Sequence, residues 1–123
     1  MKIRLRGNSL RLRLTRSEVD AIGRGETVRE VTIFPNERAL TTLLTPCGGN
    51  SVATEFRGDE LRVSAPTDAL RTWADGDEVG LDCIVEPADF TVTVEKDFSC
   101  LTPRAGGDDD DTFPHPDAGS NRC

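Results

Sequence analysis

Long apolar runs are missing from this sequence. None approaches the roughly 20 residues needed to cross a bilayer, and the amino terminus has no apolar region of the signal-peptide kind. A cytoplasmic location without a membrane partner is expected on that ground. Histidine is nearly missing too. His115 is the only one, and it stands between Pro114 and Pro116, poor ground for a general base or a catalytic triad. The four cysteines, Cys47, Cys83, Cys100 and Cys123, contain no C-x-x-C pair. In a cytosolic chain they read as free or metal-binding thiols rather than a disulfide framework. A catalytic cysteine needs a basic neighbourhood, whereas Cys100 closely follows Glu95, Asp97 and Ser99. These gaps lean away from an enzyme and towards binding. Acidic residues, finally, are missing from the start of the chain: positions 1–16 hold six basic and no acidic side chains.

What is present is an ordinary globular composition. A chain of 123 residues with 36% hydrophobic residues and 11 glycines is one compact unit, able to bury about two thirds of its unfolded surface. The net charge of −7 argues against generic nucleic-acid affinity. Setting aside the first 16 positions leaves nine basic against 22 acidic residues, an asymmetry that implies either an interaction or neutralisation within the fold.

Residues 4–14 read RLRGNSLRLRL. A two-residue turn at Gly7-Asn8 pairs Arg6 with Ser9, Leu5 with Leu10, Arg4 with Arg11, Ile3 with Leu12 and Lys2 with Arg13. The two-residue period of a strand then puts Ile3, Leu5, Leu10 and Leu12 on one face and Lys2, Arg4, Arg6, Arg11 and Arg13 on the other. Like charges directly opposite one another destabilise a hairpin, so the basic face needs an anion. An internal source is expected, strand acids such as Glu30 or Glu95, with nucleic-acid phosphates as the external alternative.

Beyond this hairpin, Thr15-Arg16-Ser17-Glu18 has capping-box spacing, with Val19 and Ile22 on one face of a short helix that Gly23 and Gly25 end. A β-rich stretch from Val28 to Ile33 stops at Pro35-Asn36. Arg38 to Thr45 reads as the return strand and residues 46–50 as a loop. A second hairpin spans Val52 to Ala65, turning at Gly58-Asp59, and a helix from about Thr67 to Ala74 follows. Strands from Val79 to Val85 and from Phe90 to Lys96 complete the pattern. The second half copies the first at an offset of 51: RGNSLRL (6–12) aligns with RGDELRV (57–63), Val19 with Leu70, Ile22 with Trp73, and Gly25-Glu26-Thr27-Val28 with Gly76-Asp77-Glu78-Val79. In the second hairpin Glu55 faces Arg62 and Arg57 faces Glu60, so its polar face neutralises itself.

The order of hairpin, short helix and Gly-Asp-x-Val strand resembles the AbrB/MazE swapped-hairpin domain, carried by the Gly7-Asn8-Ser9 turn and by LRVSAPTDALRTWADGDEVGL (61–81). The resemblance covers residues 2–34 and 52–85. It implies a barrel made by exchange of hairpins, here as a pseudo-dimer within one chain, and DNA contact through Arg4, Arg6, Arg11 and Arg13. The whole chain, including EKDFSCL, the late FPHP and Cys123, also looks like a group of small bacterial proteins of unknown function.

The expected fold is therefore mainly β (α+β): a small barrel of two intrachain hairpin–helix–strand copies over residues 1–97, and an irregular acidic tail over 98–123. The expected function is that of an AbrB-like interaction module with a protein or DNA partner, as a monomeric pseudo-dimer or a homodimer. The tail carries Asp108 to Asp111, and deletion of residues 103–123, where Phe113 is the one large apolar side chain, is expected to leave the core intact. A small metal-binding protein is the alternative, in which Cys100, His115 and Cys123 supply three zinc ligands.

Overall fold

The structure, a computed structural model, describes residues 1–85, 89–98 and 113. In chain order the elements are β1 (Lys2–Arg6), β2 (Ser9–Leu14), α1 (Arg16–Gly23), β3 (Val28–Ile33), β4 (Ala39–Cys47), β5 (Ala53–Arg57), β6 (Glu60–Pro66), α2 (Thr67–Asp75), β7 (Gly80–Val85) and β8 (Phe90–Lys96). The strands form two four-stranded sheets, a first ordered β1-β2-β8-β7 and a second ordered β3-β4-β6-β5. The fold is mainly β with two short helices, as the alternation predicts. The expected closed barrel is corrected to two open sheets: among the described residues no strand of one pairs with a strand of the other. Each sheet ends on short edge strands of five or six residues, and short edges present little backbone for further pairing.

Both hairpins form in the register read from the sequence. Lys2 faces Arg13, Arg4 faces Arg11 and Arg6 faces Ser9, while Glu55 faces Arg62 and Arg57 faces Glu60. Gly7 and Gly58 hold φ at 53° and 59°, a left-handed conformation that a primed hairpin turn requires and glycine adopts without penalty. The inner strands of each sheet are joined in parallel. Leu10 and Leu12 of β2 lie beside Val92 and Val94 of β8, and Leu61 and Val63 of β6 beside Thr42 and Leu44 of β4. Strand β4 runs on through Pro46, which faces Ala65 of β6. Strand β3 begins opposite Leu44, so Pro46 lies past its end, where a missing N–H removes no bond on that side.

The inner faces and helices share one core. Leu10, Leu12 and Leu14 of β2, Val63 and Ala65 of β6, and Val92 and Val94 of β8 are buried with Val19 and Ile22 of α1 and Leu70 and Trp73 of α2. Helix α1 has its capping box: Glu18 N donates to Thr15 Oγ1 and Thr15 N donates to Glu18 Oε1. Trp73 is fully buried and its Nε1 donates to Val79 O at 3.2 Å. Two apolar positions of the sequence pattern lie outside this core. Leu5 is 61% exposed at the hairpin tip, and Val79 is 44% exposed whereas Val28 is buried. Val28 faces Leu44, and the residue facing Val94 at the corresponding place in β8 is Leu81, two positions beyond Val79. A two-residue shift preserves the strand's inside–outside parity, so alternation alone does not reveal it.

Where β8 ends, Phe113 lies against the fold. Its N–H donates to Asp97 O at 2.9 Å, its ring is 5.8 Å from that of Phe98, and Arg16 and Lys96 approach its face at 5.4 and 5.6 Å. Lys96 is buried. It donates to Gly76 O at 2.7 Å and also stands 5.8 Å from the Trp73 ring. Cys100, His115, Cys123 and Asp108 to Asp111 lie outside the described residues. No helix among the described residues is long and apolar enough to cross a membrane.

Candidate functional site

The outer face of the first sheet is built by strand parity. Lys2, Arg4 and Arg6 of β1 sit in rows with Arg13, Arg11 and Ser9 of β2. The rows continue through Glu95, Thr93 and Thr91 of β8 and end on Gly80, Asp82 and Ile84 of β7. Five cations thus share a face with two carboxylates, and Asp97 stands at its end.

Part of that charge is neutralised within the molecule. Arg13 Nε donates to Glu95 Oε1 at 2.5 Å, and the other Glu95 oxygen is 3.8 Å from Arg11 Nε. Lys2 Nζ lies 3.0 Å from Asp97 Oδ2, an ion pair made by a buried carboxylate. Of the expected internal acids Glu95 serves, and Glu30 does not: it accepts from the Met1 ammonium at 2.8 Å, beside Glu18 at 2.7 Å. Arg4 and Arg6 take part in none of the ion pairs seen among the described residues. With Ser9 and Arg11 they line a recess of about 360 Å³.

The second sheet carries a counterpart. Glu55, Arg57, Glu60 and Arg62 line a recess of about 270 Å³, and Arg57 pairs with Glu55 at 3.0 Å and Arg62 with Glu60 at 2.9 Å. Each of its guanidiniums thus has a carboxylate partner. A larger recess of about 540 Å³ lies at the turn end of the second sheet between Phe34, Pro35, Leu40 and Phe56, with the Arg38–Asp59 ion pair at its rim. It is apolar and holds no cluster of titratable groups.

Two thiols, Cys47 and Cys83, also lie among the described residues. No group of three or more His, Cys, Asp or Glu side chains is placed to hold a metal ion there, and Cys100, His115 and Cys123 fall outside them. Cys47 and Cys83 are free and partly buried. Burial first, and then the Asp82 carboxylate, hold the Cys83 thiol above its ordinary pKa, which disfavours the nucleophilic thiolate.

All four arginines expected from the sequence come to one face, and the structure divides them by partner: Arg11 and Arg13 to Glu95, Arg4 and Arg6 to none of these pairs. Sequence reasoning missed Ser9 as a lining residue, although its pairing with Arg6 already put it on that face. It also missed Asp97, because that residue follows the last alternating position of β8. No curated protein and no solved structure matches the chain. A family model covers residues 1–117, and the chain accordingly belongs to DUF7009, a family of unknown function.

Proposed function

We propose that this protein is an AbrB-like interaction module, two hairpin–helix–strand copies folded as a pseudo-dimer in one chain, which binds an anionic partner through the first hairpin alone. The observation that carries the reading is the unshared charge of Arg4 and Arg6 beside Arg11. Arg4 and Arg11 stand directly opposite one another, a repulsion of about a few tenths of a kcal/mol or more that an incoming anion relieves. The exchanged-hairpin reading is supported by the pairing: each sheet takes the hairpin before one helix and the hairpin after the other. Burial of Leu10 and Leu61, Val19 and Leu70, and Ile22 and Trp73 supports the offset of 51. Duplex DNA is an anion of the right kind, and a regulatory role follows if it is the partner.

The test is binding of a short DNA duplex as a function of salt. Each phosphate neutralised on duplex DNA contributes about −0.9 to the slope of log affinity against log salt, so three guanidiniums give a slope no steeper than about −3. Replacing Arg4 and Arg6 by Glu together should abolish the signal, and Arg57→Glu should leave it unchanged. A slope near twice that value, or a native chain that ignores the duplex at low salt, contradicts the proposal.

A further inference from the structure

The recess on the first sheet has its own control on the second. At an offset of 51, Arg4, Arg6, Ser9 and Arg11 become Glu55, Arg57, Glu60 and Arg62. Each set of four lines a recess beside its own turn. The hairpins share register and a positive-φ glycine at the turn. What changes is the occupant of two positions: two carboxylates on the second hairpin, a guanidinium and a hydroxyl on the first. The second set sums to zero charge and the first to three positive charges.

Resting on the proposed anion-binding face, we infer that the first recess takes one terminal phosphate group at a time, from a phosphomonoester, an inorganic phosphate or one end of a pyrophosphate. Arg4 and Arg6 are two residues apart on β1, about 6.6 Å along the strand, and face Arg11 and Ser9 across about 5 Å. Three guanidiniums around a patch of that size suit a single tetrahedral oxyanion, whose oxygens accept paired N–H donors from each fork. Ser9 adds a hydroxyl donor at the fourth corner. The recess of about 360 Å³ falls at the small end of the roughly 300–1,000 Å³ range of ligand pockets. A compact dianion neutralises more of this charge at one point than a phosphodiester does. Because it relieves the Arg4–Arg11 repulsion, bound ligand also stabilises the fold.

Calorimetric titration with inorganic pyrophosphate, against sodium chloride at matched ionic strength, tests the inference. The native chain should bind one pyrophosphate per chain, with a raised melting temperature. Replacing Arg4 and Arg6 by Ala should weaken binding about tenfold or more for each guanidinium removed, with the unliganded melting temperature unchanged or raised. The pair Glu55→Arg and Glu60→Ser, which writes the first recess onto the second hairpin, should raise the stoichiometry to two. Duplex binding without pyrophosphate binding overturns this inference and leaves the proposed function standing, whereas failure to bind either ligand overturns both. Pyrophosphate binding that survives loss of Arg4 and Arg6 puts the anion elsewhere and overturns it too, as does a folded Glu55→Arg, Glu60→Ser variant that still binds one.

Discussion

Single carboxylates decide which cations this molecule keeps and which it leaves available. Glu95 reaches Arg13 and Arg11, and Asp97 reaches Lys2. The two pairs to Glu95, whose guanidiniums are well exposed, contribute about 0–1 kcal/mol each, and the larger effect of all three pairs is to consume charge on one half of the hairpin face. Glu18 and Glu30 do the same for the Met1 ammonium. Burial opposes its charge, but the hydrogen bonds it donates to both carboxylates outweigh that, so its pKa lies above its ordinary value. A group whose pKa is raised on folding stabilises the fold fully below its unfolded value, about 7.7–8.0 for an α-amino group. That contribution fades as pH rises through the folded value. The melting temperature should therefore fall as pH rises above about 8, in a way that Glu30→Gln blunts. Parallel pH profiles for the native chain and the variant would show that the clamp contributes nothing.

The local elements were legible in the sequence because their signals are local. The alternation RLRGNSLRLRL gives β1, β2 and the turn residue by residue, and Thr15 with Glu18 marks the start of α1. Pairing of β2 with β8 was not legible: parallel neighbours some 80 residues apart leave no pattern in either strand beyond its own inside–outside period. The basic face was read correctly in membership, and its division by partner depended on where β8 and Asp97 come to rest. Phe113 is the clearest case of a residue whose role lies outside any periodic pattern. Its contacts with Phe98, Arg16 and Lys96 revise the expectation that the tail is dispensable to the core. A fully buried Phe→Ala change costs about 3–5 kcal/mol. Phe113 is only partly buried, so Phe113→Ala should cost about 1–2 kcal/mol in urea unfolding. An unchanged midpoint would restore the tail as dispensable.

At the scale of the whole molecule, each sheet is assembled from strands of both halves of the chain, and both sheets close on one core. This architecture sets two similar hairpins on separate sheets. Their outer faces then differ by a few side chains, one self-paired and one carrying cations in a chain whose net charge is −7. The central claim is that binding is confined to the first face. The measurement that tests it most directly is backbone amide chemical-shift mapping of the native chain during titration with a short DNA duplex at low salt. The account predicts that resonances of residues 4–11 shift with the duplex while those of residues 55–62 stay in place. Equal shifts in both hairpins, or shifts confined to the apolar recess around Phe34 and Phe56, would contradict it.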